Sequence, residues 1–381
     1  LSAATVVTHG CRSNLAERDA LAALAPAGAT VVNSCAVTAE AARDARAAVR
    51  AAAANGPVYV TGCAATLDPA RFADLAVVVP NALKFRPASW GREGRAPAIV
   101  TRQSRGFVAV QDGCDHDCTF CVTRLARGPS RSTPLPQVVE QVADLVARGV
   151  NEVVLTGIDT TSYGEDLPGS PTLGQLVQAV LAGTGVRRLR LSSLDAAEAD
   201  DALLEAFGEA RLMPHIHLSL QSGDDLILKR MKRRHSRADA VRLVERLKRA
   251  RPDIAIGADL IAGFPTEGEA AHRNSLRLIA DCELAHSHIF PFSPRPGTAA
   301  ARMPQVPAAV AKARAAELRL VATDQNIFFQ NSFLGKIVEV VSEGSSGLTP
   351  HGLKLRFRAE QPRGALLEAT PQEIRNGVLV Q

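Results

Sequence analysis

Six of the seven cysteines fall into two groups of three. Cys114, Cys118 and Cys121 stand in the run QDGCDHDCTFC at 111–121, with the spacing C-x3-C-x2-C. Three thiolates packed this closely can hold three irons of a cubane and leave the fourth iron without a protein ligand, a place where a second molecule can bind and be activated. A structural zinc ion wants four ligands, and His116 or His9 can complete such a set, so a zinc site stands as the alternative. Cys11, Cys35 and Cys63 are far apart along the chain, but each follows a short β-branched run and has Gly or Ser beside it. Such small neighbours favour exposing the sulfur to a ligand, while the plainer reading is three small buried hydrophobes. Cys282 stands alone in a helical stretch, 276–284, and is assigned to packing.

These residues need elements to bring them together. Strand patterns at 4–8, 29–33 and 58–61 each end just before a first-group cysteine, and Ala-rich helical patterns follow at 15–24 and 39–54. This repetition implies an N-terminal parallel-sheet α/β domain over 1–85, with the three thiols meeting beyond the carboxyl ends of its strands. Residues 86–105, rich in Pro, Gly and Arg, read as a linker. From 106 to 322, strand patterns at 107–111, 152–156, 188–191, 215–220, 254–261 and 286–290 alternate with helical ones such as 135–148, 173–181 and 238–249. Six β/α units imply a partial parallel barrel whose chemistry lies at the C-terminal strand ends. The first of those strands runs straight into Cys114. A helix ending near Ala322 precedes 325–381, where short runs at 336–341, 353–357, 365–369 and 378–380 read as a small β-barrel.

The 381 residues are 46% hydrophobic and 22% charged, a globular composition that excludes disordered and fibrous classes and leaves room for two or three domains. No apolar run is long enough to span a membrane. Residues 1–7 carry no basic region ahead of an apolar stretch, so no secretory signal is expected. An odd cysteine count in a long chain fits the reducing cytoplasm better than a disulfide framework. The net charge is +5, but residues 229–251 alone hold eleven basic and two acidic residues. Arg234, Arg237 and Arg242 of that stripe are candidate phosphate contacts for RNA. His215 and His217, like His286 and His288, share one face of a strand, where ordinary satisfied histidines are a better reading than a metal site.

In several motifs the chain resembles the radical S-adenosylmethionine (SAM) methylthiotransferase family over nearly its whole length. The N-terminal cysteines lie in GCRSN at 10–14, NSCAVT at 33–38 and GCA at 62–64; the C-x3-C-x2-C follows, then LSLQSG at 218–223, DLIAGFP at 259–265 and FSPRPGT at 292–298. The resemblance implies a radical SAM domain built as a partial (β/α)6 barrel and a TRAM-like β domain at the C-terminus. It also implies two 4Fe-4S clusters, one on Cys114, Cys118 and Cys121 and one on Cys11, Cys35 and Cys63. The first would cleave SAM to a 5'-deoxyadenosyl radical, and the second would donate sulfur. Methylthiolation replaces an unactivated adenine C–H bond, which no side-chain base ionises at neutral pH, so the cofactors carry the difficult step. Within the family, NSCAVT, LTGIDTTSY at 155–163 and RLSSLD at 190–195 look most like the branch that acts at C2 of N6-threonylcarbamoyladenosine 37, beside the tRNA anticodon.

SAM is then expected across the barrel's strand ends. Phe120 is suited to covering the cluster or the adenine. Gly157, Asp159, Ser193, Gln221 and Gly263 suit contacts to the methionine and ribose parts, with Gly allowing close backbone approach. Arg233 matches a family arginine and suits the SAM carboxylate. The expected partners are tRNA and a low-potential electron donor of flavodoxin or ferredoxin type, with no membrane and a monomeric chain. Alternative targets are isopentenyladenosine in tRNA and a ribosomal-protein side chain. An alternative of another class is a non-catalytic iron-sulfur or zinc RNA-binding protein.

Overall fold

The computed structural model describes residues 4–93, 104–197 and 199–381. In the N-terminal unit, strands β1 (Thr5–Thr8), β2 (Thr30–Ser34), β3 (Val58–Gly62) and β4 (Val77–Val78) form a parallel sheet in that order. Helices α1 (Arg12–Leu24), α2 (Ala39–Ala53) and α3 (Cys63–Leu67) connect them. Thr38 caps α2 by accepting a hydrogen bond from the Ala41 amide, 3.1 Å, and the helix buries Ala42, Ala45 and Val49, one face of a 3.6-residue period. Trp90 changes the boundary read from sequence. Its ring is 1% exposed among Val6, Leu21 and Val31, and its indole N–H donates to the Lys84 carbonyl. The ordered unit therefore runs past residue 85, while residues 94–103 of the expected linker lie outside the described residues.

The central unit alternates β5 (Gly106–Ala109), β8 (Glu152–Thr156), β9 (Arg188–Leu191), β10 (His215–Gln221), β11 (Ala255–Ala262) and β12 (His286–Pro291) with helices. A small antiparallel pair, β6 (Gln111–Asp112) and β7 (Arg131–Ser132), and helix α4 (Thr123–Arg127) follow β5. The other helices are α5 (Leu135–Ala147), α6 (Leu173–Gly183), α7 (Asp201–Ala206), α8 (Asp225–Arg230), α9 (Arg237–Ala250), α10 (Glu269–Asp281) and α11 (Ala308–Asn331). Strands β5-β8-β9 and β10-β11-β12 pair in parallel, and bridges at Leu189–Leu212 and Leu194–Leu218 join the two groups. The result is the expected open barrel of six parallel strands. Capping boxes at Thr172/Gln175 and Ser236/Asp239 start α6 and α9. Along the strands, Leu155, Leu189, Leu191, Ile216, Leu218, Ile256 and Ala258 belong to the main apolar core. The alternate positions carry Arg188, Arg190, His215, His217 and Asp259, so the inner face is polar by the two-residue period of a strand.

The helix expected to stop near Ala322 continues to Asn331. Asn326 donates to the Ala285 carbonyl, 2.6 Å, and Gln330 to that of Gly377, 2.9 Å, so tertiary contacts outweigh the weak helix propensity of this polar, aromatic stretch. After it, β13 (Val338–Ser342), β14 (Ser346–Leu348), β15 (Lys354–Arg356), β16 (Leu366–Ala369), β17 (Glu373–Arg375) and β18 (Val378–Val380) form a mixed sheet in the order β16-β13-β14-β15-β18-β17. This sheet seats against the N-terminal ends of the barrel strands. Arg188 donates to the Leu348 carbonyl and Arg190 to those of Thr349 and Pro350, while both guanidiniums pair with the buried Glu152 at 2.8 Å.

His215 and His286 meet edge to face inside that end of the barrel, ring centroids 5.4 Å apart. Burial, then the charge of Arg190, pushes His215 well below its usual value. Burial also pushes His286 down to about 4. Between about pH 6.5 and pH 4 the unfolded chain therefore binds protons that the folded one refuses, so stability falls as the pH falls, by up to about 1.4 kcal/mol per unit for each histidine. We expect the urea midpoint to drop between pH 7 and pH 5, and to drop less in His286→Gln. Equal drops would show that this pair does not govern the acid response.

Candidate active site

Gly10, just before Cys11, lets Cys35 approach the turn that carries Cys11. It turns with φ +85° between β1 and α1, and a Cβ there would lie 2.4 Å from Cys35 Sγ, so only glycine fits. Cys35 follows β2 and is 5% exposed; Cys63 opens α3, and Cys11 is exposed at the N-cap of α1. Burial, then the neighbouring Cys11 and Cys63, pushes the Cys35 thiol up to about 11. Cys63 is also raised by burial, with the Arg127 guanidinium working the other way.

The second triplet occupies the loop that leaves β5 and β6 at the C-terminal mouth of the barrel. Gly113, φ +74°, starts it, where a Cβ would lie 1.9 Å from the Pro129 carbonyl oxygen. The Thr119 amide donates to the Met231 carbonyl and its hydroxyl to that of Arg230, which fixes the loop on the end of α8. Burial, with the Asp159 carboxylate adding to it, pushes Cys114 up to about 12. Cys118 is raised by burial, against the pull of Arg233, whose Nη1 lies 3.5 Å from its sulfur. All six cysteines are unbridged. Burial thus favours the protonated thiol at Cys35, Cys63, Cys114 and Cys118.

The two triplets stand on adjoining elements. Helix α4, which begins two residues after Cys121, packs on α3, which begins at Cys63. Arg127, at the end of α4, reaches Asn14 Oδ1 at 2.6 Å, Glu17 at 3.0 Å and Asp112 at 2.7 Å. Lys84 completes this buried hub with Glu17 at 2.6 Å and Asn81, whose amide lies 3.8 Å from Cys63 Sγ. Sequence reasoning misses the hub because Arg, Lys, Glu and Asn at these positions carry no spacing signal.

The expected SAM contacts divide. Asp159 and Arg233 lie at the second triplet: Asp159 Oδ2 is 3.9 Å from Cys114 Sγ and 2.6 Å from His116 Nε2. Arg233 is held by Asp195 at 2.7 Å and the Ser219 carbonyl at 2.8 Å. Burial opposes ionisation of Asp195, yet His235 and Arg233 hold its carboxyl far below the usual range. Gln221 ends β10 at a register shift with φ +66°, and Ser193 follows β9. Phe120 packs edge to face on Phe264 at 6.4 Å and is partly buried. At the two glycines, a Cβ on Gly157 would crowd Gln111 and Thr160, and one on Gly263 would strike Ala311 of α11 at 2.3 Å. Both clear space for neighbouring protein atoms.

The basic stripe is also different in space. Arg237 pairs with Asp281 and Arg242 with Asp239, while Arg246, Lys248 and Arg251 pair with Asp201, Glu283 and Asp253. Acids from other segments neutralise much of the charge counted along the sequence; Arg234 is exposed beside them. Cys282 is fully buried in the barrel core. Of the four histidines, His217 and His288 converge on Asp259 Oδ1, at 3.0 and 3.1 Å. Among the described residues, this trio and Cys114–His116–Asp159 are the groups whose possible metal-ligating atoms lie within 4.8 Å of one another. Neither cysteine triplet is so tight. One zinc ion, with Zn–S near 2.3 Å, draws its sulfurs to about 3.8 Å apart.

The Radical SAM superfamily profile matches residues 108–279. The threonylcarbamoyladenosine tRNA methylthiotransferase MtaB of Rickettsia prowazekii is 42% identical over 90% of this chain and 88% of its own length. The chain belongs to the radical SAM methylthiotransferase family. A second MtaB, from Thermotoga maritima, is 40% identical over 63% of this chain and 56% of its own. The tRNA-2-methylthio-N(6)-dimethylallyladenosine synthase of Paracoccus denitrificans is 39% identical over 65% and 56%. Among solved structures, the radical SAM methyltransferase TsrM of Kitasatospora setae shares the fold, with a TM-score of 0.53 at 16% identity over 71% of this chain and 64% of its own. Members of the radical SAM superfamily use a 4Fe-4S cluster and SAM, and no helix among the described residues is long and apolar enough to cross a membrane.

Proposed function

We propose that this methylthiotransferase acts on tRNA, inserting a methylthio group at C2 of N6-threonylcarbamoyladenosine 37. The observation that carries the reading is that all six cysteines are unbridged and that α3, which Cys63 opens, packs on α4, which begins two residues after Cys121. Their donor chemistry fits two 4Fe-4S clusters, each held by three thiolates with one iron left open. Cys114, Cys118 and Cys121 hold the one that takes SAM, and Cys11, Cys35 and Cys63 hold the auxiliary one. When bound, these groups supply the electron that splits SAM and the sulfur that is transferred.

The chain's own residues orient and shield. Arg233, fixed by Asp195, directs an N–H at Cys118 Sγ, a contact that stabilises negative charge on a ligating sulfur. Asp159, Ser193 and Gln221 present polar atoms at the strand ends for the methionine and ribose parts of SAM. Phe120 on Phe264 keeps water from the loop between Cys118 and Cys121. Arg234, exposed next to Arg233, is a phosphate contact for the tRNA, with Arg237 and Arg242. A low-potential donor of flavodoxin or ferredoxin type supplies electrons to a monomeric, cytoplasmic enzyme.

The test is mass spectrometry of tRNA nucleosides from cells with and without this chain. Methylthio-threonylcarbamoyladenosine is expected only in cells that have it, with the unthiolated nucleoside accumulating in the others. Unchanged nucleosides would overturn the reading.

A further inference from the structure

Most of the buried and partly buried cations around the site have an acid beside them. Arg127 has Glu17 and Asp112, Lys84 has Glu17, Arg188 and Arg190 have Glu152, and Arg233 has Asp195. Arg12 has none within ion-pair distance among the described residues. It follows Cys11 on the first turn of α1 and crosses from the N-terminal unit into the barrel, where its Nη1 donates to the Ser192 carbonyl at 3.1 Å. Of the inner-face acids, Glu152 is taken by Arg188 and Arg190, and Asp259 is engaged by His217 and His288.

A guanidinium placed this way is costly unless an anion reaches it. The surroundings also offer an unused polar group: Ser192 is 3% exposed, and its hydroxyl has no hydrogen-bond partner. A ligand carrying a carboxylate and a hydroxyl would satisfy both. An isopentenyl tail has neither group, whereas a threonylcarbamoyl tail has both. SAM also carries a carboxylate, but Arg12 stands beside Cys11 of the first triplet and not beside the second.

We infer that Arg12 binds the carboxylate of the side chain on the substrate base and so sets the enzyme's choice among modified adenosines. The inference rests on the substrate proposed above. A forked guanidinium–carboxylate pair adds directional specificity as well as energy. Asp259, held by its two histidines, keeps a second carboxylate from settling on their side of the barrel, which directs the tail to Arg12.

The test is equilibrium binding of the full reconstituted chain, as wild type, Arg12→Gln and Arg12→Lys, to anticodon stem-loop RNAs. The RNAs carry threonylcarbamoyladenosine, its methyl ester, unmodified adenosine or isopentenyladenosine at one position. Wild type is expected to bind the free carboxylate about 10- to 100-fold more tightly than the ester. Arg12→Gln should bind both with the affinity of the ester, and Arg12→Lys should recover part of the preference. Affinity for unmodified RNA should be the same in all three proteins. If Arg12→Gln kept the full preference, or if wild type bound acid and ester equally but above unmodified RNA, the role of Arg12 would be overturned and the substrate would stand. An equal loss of affinity for every RNA would reduce Arg12 to a structural role and also overturn the inference. Tightest binding of the isopentenyl RNA by wild type would overturn the substrate reading itself.

Discussion

Replacing Cys114, Cys118 and Cys121 together by Ala is expected to halve the iron of the anaerobically reconstituted chain, from about eight to about four per molecule, and to abolish both cleavage of SAM and formation of product. The loss is complete because these are the thiols at the C-terminal mouth of the barrel, where Asp159, Gln221 and Arg233 also gather. The remaining iron should survive, since Cys11, Cys35 and Cys63 hang on a separate sheet whose own core of Val32, Val49, Val60 and Phe72 does not use the loop cysteines. Iron and sulfide analysis with visible absorbance checks the stoichiometry, and chromatography of 5'-deoxyadenosine checks the cleavage. A colourless wild-type protein with one or two zinc ions would contradict the assignment, and Cys114–His116–Asp159 would then be the place to look for one of them.

The complementary replacement, Cys11→Ala, Cys35→Ala and Cys63→Ala together, should separate two activities. Methylthio product should fall to background while SAM is still cleaved to 5'-deoxyadenosine. The structural reason is that the hub of Arg127, Glu17, Lys84 and Asn81 holds the N-terminal unit to the barrel without using a thiol for any of its ion pairs. The barrel triplet and its anchors at Met231 and Arg230 are untouched. Mass spectrometry of the RNA and of the small molecules from one reaction reads both outcomes. Product at the wild-type rate would show that the transferred sulfur does not depend on these cysteines.

What is legible in the sequence follows from periodicity and from rare residue types. The six barrel strands lie within a few residues of the patterns read for them, because a two-residue period puts the apolar side chains of a strand on its core face even where Arg or His alternates with them. Cys114, Cys118 and Cys121 are legible as a group because three thiols lie within eight residues, and Cys11, Cys35 and Cys63 because each follows a strand pattern and a small residue. Strands β14 and β17, three residues each, are too short to show an alternation. The extent of α11 depends on partners at Ala285 and Gly377, which are distant in sequence. The positive stripe looks stronger along the chain than it is in space because Asp201, Asp281 and Asp117 come to it from other segments. A sequence shows where a side chain is missing at Gly157 and Gly263 but not that Gln111, Thr160 and Ala311 lie where the Cβ would stand. Likewise the histidine pairs are visible, but Asp259 between His217 and His288 depends on the register of β11 with its two neighbours.

The most direct measurement supplies the reconstituted wild-type chain with SAM, a low-potential reductant and one of two tRNAs, carrying either threonylcarbamoyladenosine or isopentenyladenosine, followed by nucleoside mass spectrometry. We predict conversion of the first to its 2-methylthio derivative and none of the second. Conversion of the isopentenyl nucleoside, or of neither, would contradict the proposed activity.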